Sequence, residues 1–263
     1  MHLTQYYTEL YDEEARLLPA AGQVEFLTTM RYLERYLRPN QHVLELGAGT
    51  GRYSLALARA GYRVTALELV QHNIDVFRHK LRPTDHMILE QGNALDLSRF
   101  RDETFDVTLL LGPMYHLYTR DDQSLALREA LRVTKPGGLL FAAYCMADSC
   151  LLYSGFLRGQ VDAFLAEGKL RPEGWRCLSQ PKDIFQLYRR EDIEALTAPL
   201  PCERLHYVAA DGLSRFMREA LDQMPPERFA LFLEYHWWLC ERPGFADATE
   251  HSLDILRKWE GAK

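Results

Sequence analysis

The chain has 263 residues, of which 47% are hydrophobic and 26% are charged. These proportions are ordinary for a globular protein and exclude a disordered or fibrous chain. The 37 acidic residues outnumber the 31 basic ones and give a net charge of −6. Because nucleic-acid readers usually present a basic surface, this balance disfavours a nucleic-acid partner. The length is compatible with one large domain or a domain with a cap, as a monomer or a homodimer.

The cysteines and the N-terminal residues bear on metal binding and location. The five cysteines include no C-x-x-C pair, so the sequence predicts neither a disulfide framework nor a cysteine-based zinc site, and we expect no metal. The N-terminal residues lack the basic and apolar regions of a signal peptide. The longest apolar stretch, 138–157, is interrupted by Asp148, by serines and by glycines, which disfavours a membrane span. We therefore expect a cytoplasmic protein with no membrane partner.

Helical and strand patterns alternate through the first part of the chain. Residues 2–38 are predicted to be mostly helical, with a break near Pro19. Five apolar runs follow, with three helical patterns between them. Such alternation is typical of an α/β doubly wound fold with a mostly parallel sheet. The runs are His42–Leu46, Arg63–Glu68, Met87–Glu90, Phe105–Leu111 and Gly138–Cys145, and the helices are Tyr53–Ala60, Val70–Lys80 and Gln123–Val133.

The pattern changes after Cys145. Residues 146–186 are predicted to be helical, with a loop at GKLRPEGW, residues 168–175, and Tyr188–Leu196 is a further predicted helix. Strands are predicted at Glu203–Ala209 and at 251–259, which makes a sheet of seven strands. The predicted parts are an N-terminal helical lid, a ligand-binding core, and a helical cap with the strands that complete the sheet, at 1–39, 40–145 and 146–263.

The most informative motif is VLELGAGTGRY, which begins at residue 43. A strand ends just after Glu45, then Gly47, Gly49 and Gly51 alternate, and a helix follows. Glycines permit positive φ and a close approach of a ligand to the backbone, and the turn lies where open α/β sheets bind ligands. The dinucleotide fingerprint G-x-G-x-x-G/A would need a small residue where this chain has Arg52. The spacing therefore disfavours NAD and FAD.

The glycine pattern E-x-G-x-G-x-G resembles that of the class I S-adenosylmethionine (SAM)-dependent methyltransferases. Four later segments resemble the same family in the same order: YRVTALEL, EQGNALDL, FDVTLLLGPMYHL and ALREALRVTKPGGLLFAAY. Together the five matches cover about residues 40–145. The resemblance implies a Rossmann-like core, SAM as the methyl donor and S-adenosylhomocysteine (SAH) as the product.

The resemblance also implies which residues hold the cofactor. Glu68, at the end of the second strand, corresponds to the family's ribose-binding acid. Glu45 corresponds to the acid that reaches the methionine moiety, directly or through water, and Asn93 and Ala94 lie where the family contacts adenine. The complete predicted set is Glu45, Gly47, Ala48, Gly49, Gly51, Glu68, Leu69, Asn93, Ala94, Leu111, Gly112 and, from the lid, Tyr7.

The loop after the fourth predicted strand lies beside the methyl group in this family. Its His116 can accept a proton near neutral pH, and Tyr115 can orient the acceptor or face the sulfonium. These two are the predicted catalytic residues; the alternatives are a structural histidine and a packed ring. The loop lacks the N/D-P-P-Y signature of enzymes that methylate exocyclic amines of bases. The chain also lacks an obvious catalytic cysteine pair, so a small-molecule acceptor is favoured.

Several functions stay open at this point. The preferred one is transfer of a methyl group to N, O or S of a small molecule by in-line displacement. An RNA or carrier-bound acyl methyltransferase would need a basic groove or docking patch. A SAM- or SAH-binding protein without turnover would keep the same glycine turn, and a nicotinamide oxidoreductase is disfavoured by Glu45 and Arg52.

Two groups of side chains are candidates for contacts with the acceptor. Tyrosines of the lid, together with aromatic residues of the cap, suit a planar or apolar acceptor. Arginines of the lid and cap can pair with an acceptor carboxylate. The lid tyrosines are Tyr6, Tyr7 and Tyr11, and the arginines are Arg16, Arg158, Arg189, Arg190 and Arg215.

Overall fold

The computed structural model describes residues 3–10, 15 and 18–261. The candidate residues Tyr11 and Arg16 lie outside the described residues. Pro19 immediately precedes the long helix of the lid, in agreement with the predicted break. The described helical segments of the lid are Leu3–Gln5, Tyr6–Leu10 and the long helix α1, Ala20–Tyr36.

The central sheet takes its strands from both halves of the chain. Its seven main strands are β1 His42–Leu46, β2 Arg63–Glu68, β3 Met87–Gln91, β4 Phe105–Leu110, β5 Thr134–Met146, β6 Cys202–Ala209 and β7 His251–Lys258. Their order is β3-β2-β1-β4-β5-β7-β6. Strands β1 to β5 are parallel, whereas β7 runs antiparallel to β5 and to β6. The predicted doubly wound, mostly parallel sheet is confirmed.

The structure adds an eighth, short strand to the predicted seven. Leu187–Tyr188 pairs in parallel with the end of β5. The sequence predicts a helix from Tyr188, but the helix here begins at Arg190. Tyr188 is 1% exposed, and its hydroxyl donates a hydrogen bond of 2.8 Å to the carbonyl oxygen of Met114. Burial against the sheet therefore outweighs the local helical pattern.

Three helices connect the parallel strands and cover both faces of the sheet. They begin and end close to the predicted positions, and Thr119 caps the third by accepting a hydrogen bond of 3.1 Å from the backbone N–H of Asp122. Because both faces are covered, neighbouring residues of β1 such as Val43 and Leu44 are both fully buried. This two-sided burial explains the unbroken apolar runs in the sequence. The helices are α2 Arg52–Arg59, α3 Gln71–Lys80 and α4 Arg120–Val133.

The cap departs furthest from the prediction. Residues 146–186 form only short helical segments, so the predicted helical region is wrong in part, whereas a small hairpin lies at the predicted loop, residues 168–175. Gly159 and Gly168 adopt positive φ just after two of the helical segments, which stops these two segments early. The helical segments are Ala147–Cys150, Leu151–Leu157, α5 Val161–Ala166, Glu173–Trp175 and Pro181–Asp183, and the hairpin strands are Leu170–Arg171 and Arg176–Cys177.

The last helices pack beside the sheet and against the lid helix. The apolar face of α1, with Ala21 and Val24, packs on Leu221 and Leu233 of the C-terminal helices. The longest of them begins at Pro226, because proline suits the first position of a helix. These helices are α6 Arg190–Thr197, α7 Arg218–Asp222 and α8 Pro226–Leu239, and a turn of helix lies at Pro113–His116.

The topology brings distant parts of the chain to one edge of the sheet. The chain runs from β1 through β2 to β3 in one direction, then crosses to β4 on the other side of β1. Ligands of open α/β sheets bind at such a reversal, at the carboxyl ends of the strands. Because β7 is antiparallel, its first residue, His251, pairs with Cys145 at that same edge.

Candidate active site

A cavity of about 1150 Å³ opens at the carboxyl edge of the sheet. Ligand sites commonly measure about 300–1,000 Å³, so this cavity has room for more than one small ligand. Every predicted site residue lines it except Gly51. The walls come from the lid, from the loops after β1 to β4, from the cap and from the start of β7.

The glycine turn after β1 needs its glycines for two different reasons. Gly47, Gly49 and Gly51 have φ of 71°, 55° and 89°, in the left-handed region that other residues rarely adopt. A Cβ on Gly47 would lie 2.8 Å from Cδ of Pro113, and a Cβ on Gly51 would overlap the ring of Phe77. Gly47 and Gly49 therefore shape the cavity floor, whereas Gly51 starts helix α2 and packs against α3.

Glu45 is a buried acid at the end of β1. It is 2% exposed, and the hydroxyl of Ser54 donates a hydrogen bond to its Oε2. Burial raises the pKa of Glu45 to about 8, although the hydrogen bond from Ser54 works in the opposite direction. The carboxyl group can therefore hold a proton near neutral pH until a positive charge is placed beside it.

Glu68 closes the glycine turn from the end of β2. The backbone N–H of Gly49 donates to its Oε2 at 2.8 Å, and that of Val70 donates to its Oε1 at 2.8 Å. Burial raises the pKa of Glu68, and these hydrogen bonds lower it again without cancelling the rise. Next to Glu68, Leu69 and Asn93 line the cavity. The Oδ1 of Asn93 accepts from the N–H of Leu95 at 3.0 Å, as expected for a turn former.

His116 is held in one defined orientation after β4. Its Nδ1 lies 2.8 Å from the carbonyl oxygen of Ile184, and a carbonyl can only accept, so Nδ1 carries the proton. Burial lowers the pKa of His116 below its usual range, so the ring is neutral near pH 7. The Nε2 therefore accepts the hydroxyl proton of Tyr7, at 3.0 Å. The structure thus links the predicted lid residue Tyr7 to the predicted catalytic histidine.

Ile184 holds this arrangement with an unusual backbone conformation. Its φ of 69° is in the left-handed region, which for a β-branched residue costs on the order of 1–3 kcal/mol. The conformation directs the carbonyl oxygen at both His116 and the hydroxyl of Tyr118, which donates at 2.5 Å. Phe185, the next residue, packs its ring 5.5 Å from that of His116.

A cluster of Glu25, Asp211 and His251, here called the carboxylate–histidine cluster, lines the cavity beside Tyr115. The His251 and Tyr115 ring centres are 5.6 Å apart. Nδ1 of His251 lies 2.7 Å from Oδ2 of Asp211 and 3.6 Å from Oε2 of Glu25. Burial disfavours the imidazolium, but the charges of Glu25 and Asp211 outweigh it and hold the pKa of His251 well above its usual range.

The same cluster has the composition of a metal site, since its ligand atoms lie within 4.8 Å of one another. The atoms are nevertheless used within the protein. Oδ1 of Asp211 accepts from the hydroxyl of Thr249 at 2.5 Å and from the N–H of Glu250 at 3.0 Å, and Oδ2 accepts from His251. A metal would have to displace these hydrogen bonds, so the cluster is better described as an ion-pair network.

Only some of the arginines predicted to pair with an acceptor carboxylate lie at the cavity. Arg158 and Arg215 line the cavity, and Arg215 forms an ion pair with Glu250. Arg189 and Arg190 do not line the cavity; their partners include Asp148 and Glu194, respectively.

Sequence comparison decides the family. Residues 44–142 match the family described as a methyltransferase domain. The chain is 39% identical over 174 residues to a demethylmenaquinone methyltransferase of Streptomyces avermitilis, covering 64% of this chain and 67% of that protein. The chain belongs to the class I SAM-dependent methyltransferases.

Other relatives agree with this assignment. The methyltransferase is 36% identical over 135 residues to a cypemycin N-terminal methyltransferase of Streptomyces sp., covering 51% of this chain and about half, 52%, of that protein. A crystal structure of a SAM-dependent methyltransferase from Methanosarcina mazei shares its fold, with a TM-score of 0.59, 17% identity, and coverage of 87% of this chain and 97% of that one. In the part of the methyltransferase that the structure describes, no helix is long and apolar enough to cross a membrane.

The residues of the glycine turn suit the chemistry of SAM. Positive φ at Gly47 and Gly49 leaves the backbone uncovered at the cavity floor. A Cβ on Gly112 would come within 3.3 Å of the Gly47 carbonyl oxygen, and a Cβ on Gly47 within 2.8 Å of Cδ of Pro113, so these two loops pack closely against each other. A carboxylate oxygen has two acceptor positions. Oε2 of Glu68 accepts one bond, from Gly49, and can accept a ribose hydroxyl with the other.

Proposed function

We propose that the methyltransferase transfers the methyl group of SAM to N, O or S of a small molecule bound in the same cavity. The supporting observation is that one cavity joins the glycine turn and Glu68 to Tyr115 and His116. The net charge of −6 disfavours both alternative acceptors, RNA and a carrier-bound acyl group, because the enzyme would need a basic surface to bind either of them. We also propose that the enzyme acts in the cytoplasm and binds neither nucleic acid nor a membrane.

The turn after β1 and its neighbours would hold the donor. SAM supplies, when bound, an electrophilic methyl group on a positively charged sulfur. Glu68 accepts the ribose hydroxyls, and Glu45 faces the positive charge of the methionine moiety, which favours its ionised form. The other proposed contacts are Gly47, Ala48 and Gly49 to the cofactor chain, Leu69, Asn93 and Ala94 to adenine, and Leu111 and Gly112 beside the methyl group. Gly51 does not line the cavity; it supports these residues by starting helix α2 directly after the turn.

The acceptor would lose its proton to the Tyr7 hydroxyl oxygen, while Tyr7 passes its own hydroxyl proton to Nε2 of His116. The Tyr7 hydroxyl donates to Nε2 of His116 and can accept a proton on its own oxygen. As the proton reaches Nε2, the carbonyl oxygen of Ile184 stabilises the imidazolium through Nδ1–H. Tyr115 forms the neighbouring wall and orients the acceptor. Such positioning of two reactants can supply roughly 7–11 kcal/mol of the barrier reduction.

The test is a binding measurement followed by a transfer assay. Calorimetry with SAH measures the cofactor site alone. Methyl-labelled SAM is then incubated with cell extract divided into small-molecule, RNA and protein fractions. We expect SAH binding and label in the small-molecule fraction. Label confined to RNA or protein would contradict the acceptor class, and binding without label in any fraction would favour a SAM-binding protein without turnover.

A further inference from the structure

Charged side chains of both signs line the cavity in nearly equal numbers. Among the described residues they are seven carboxylates and, with the imidazolium of His251, six cations. Because the totals nearly balance, they favour neither charge on the acceptor. The individual pairs are more informative, since a cavity recognises a ligand through the charges that the protein itself leaves unpaired.

Each of the seven carboxylates has a partner within the protein. Glu45 and Glu68 accept the hydrogen bonds described above. Asp122 accepts a hydrogen bond of 2.7 Å from the hydroxyl of Thr119. The other four carboxylates pair with cations, which occupies half of the cationic side chains. These pairs are Asp183 with Lys169, Glu250 with Arg215, and Glu25 and Asp211 with His251.

Three arginines remain, and two of them have no acidic partner. Arg52 follows the glycine turn; its guanidinium lies 4.3 Å from the centre of the Phe26 ring, and Arg52 has a further contact. Arg158 donates a hydrogen bond of 3.0 Å to the hydroxyl of Tyr153 but forms no ion pair with any described residue. Arg218 forms neither an ion pair nor a side-chain hydrogen bond within the described part of the chain. Two positive charges are therefore available at the wall of the cavity.

The two unpaired arginines belong to one group on the cap. Arg158 directly follows the helical segment that carries Tyr153, and Arg218 begins α7, three residues after Arg215. The guanidiniums of Arg215 and Arg158 lie 4.3 Å and 5.3 Å from the centre of the Tyr153 ring. Glu219, the residue after Arg218, acts on Arg158 through its charge but forms an ion pair with neither arginine, which places the start of α7 near Arg158. An anionic group bound here would reduce the repulsion among the arginines.

We propose that the methyl acceptor carries a carboxylate or a phosphate monoester, and that Arg158 and Arg218 bind this group at the cap wall of the cavity. The inference rests on the proposed function, because it assigns an acceptor class to the same cavity. A guanidinium presents its N–H donors in a planar fork, which fits the oxygens of either group in a bidentate manner. The proposed cofactor contacts come from the loops after β1 to β4, which leaves the cap arginines to the acceptor.

The carboxylate of SAM itself is the alternative ligand of these arginines. It belongs to the methionine moiety, which is proposed to lie beside Glu45, and Arg52 is the arginine that follows that turn in the chain. SAH carries the same carboxylate as SAM. A change in SAH affinity therefore reveals this alternative directly.

Chemical treatment of the methylated product tests the acceptor class. The labelled product of the small-molecule fraction is divided into portions for acidic methanol, which esterifies carboxyl groups, for alkaline phosphatase, which removes phosphate monoesters, and for no treatment. We expect one of the two treatments to change the chromatographic retention of the label, and that treatment identifies the group. A product that neither treatment changes would overturn the inference.

Arginine variants assign the anionic group to its binding site. Arg158→Gln and Arg218→Gln each remove one charge, so with a limiting amount of the small-molecule fraction we expect label transfer to decrease roughly fivefold to tenfold. A saturating amount should restore most of the rate, because the change affects acceptor binding, and the SAH affinity should not change. Arg218→Lys should lose less, because it keeps the charge. Arg228→Gln, at an exposed position of α8 that does not line the cavity, is the matched control and should change nothing.

The outcomes separate the two proposals. Unchanged transfer at limiting acceptor in both glutamine variants would overturn the role of the arginines, and a loss of SAH affinity would overturn it by assigning them to the cofactor. A labelled product without a carboxylate or phosphate monoester overturns only the acceptor class, because methyl transfer has then taken place. If the unmodified enzyme labels no small molecule, the proposed function fails and the inference fails with it.

Discussion

Glu45 connects protonation to cofactor binding at the scale of a single residue. Its pKa is raised by burial to about 8 in the protein without ligand, against an ordinary value of 4.5. A bound positive charge favours the carboxylate and lowers that pKa, so SAM binding should release a proton below pH 8. We expect SAM affinity to increase from pH 6.5 to about 8 and then level off, at up to roughly tenfold per pH unit.

Calorimetry in buffers of different ionisation enthalpy measures this proton release. Glu45→Gln should bind SAM more weakly at pH 8 and show a flatter pH profile. The stability of the free protein provides a second readout. Because the folded-state pKa exceeds the unfolded one, protonated Glu45 stabilises the fold below about pH 4.5, and this contribution is lost as the pH rises through about 8. SAM affinity that stays constant from pH 6.5 to 8 would remove Glu45 from the cofactor site.

His116 provides the second prediction at this scale. Because its pKa is lowered by burial, the neutral base is the main form at pH 7, and turnover should decrease only in the acid range. His116→Ala should lower turnover by about 10²–10⁴-fold with little change in SAH affinity, the usual contribution of a general base. Tyr7→Phe should lower it less, because Nε2 stays available. Steady-state rates measure both, and an unchanged rate for His116→Ala would leave the histidine with a structural role.

At the scale of elements, the sequence predicts the strands that appear in it as continuous apolar runs. β2 runs Arg63–Glu68, as its apolar pattern indicates, because both faces of the strand are buried between helices. The strand Leu187–Tyr188 has no such signal. It exists because Tyr188 fills a space beside Tyr144, with ring centres 5.1 Å apart. Pairings of this kind depend on tertiary packing, which a local pattern does not contain.

The Tyr188 hydroxyl offers a prediction about this short strand. It donates to the carbonyl oxygen of Met114, which belongs to the loop that carries His116. Tyr188→Phe would leave a buried carbonyl without this donor, so we expect a loss of about 1–3 kcal/mol in the free energy of unfolding. Denaturant titration measures it, with Tyr235→Phe as control because Tyr235 is 58% exposed. Equal stability of the two variants would show that the bond to Met114 contributes nothing.

At the scale of the whole molecule, the two sides of the cavity differ in how far the sequence predicts them. The cofactor side comes from short loops after consecutive strands, so motif spacing predicts its residues together. The carboxylate–histidine cluster joins α1, the loop after β6 and the start of β7. Glu25 and His251 meet only because β7 is antiparallel, which places its first residue at the carboxyl edge of the sheet. The signal available in the sequence was that Asp211 lies just after β6 and that His251 is the first residue of β7.

The central claim is that the turn formed by Gly47 and Gly49, with Glu45 and Glu68, binds the adenosyl and methionine groups of SAM next to His116. A crystal structure of the enzyme with SAH tests it most directly. We predict ribose hydroxyls within hydrogen-bonding distance of Glu68 and the sulfur facing the loop 111–116. Density for SAH in another part of the molecule, or a glycine turn closed to it by neighbouring side chains, would contradict the claim.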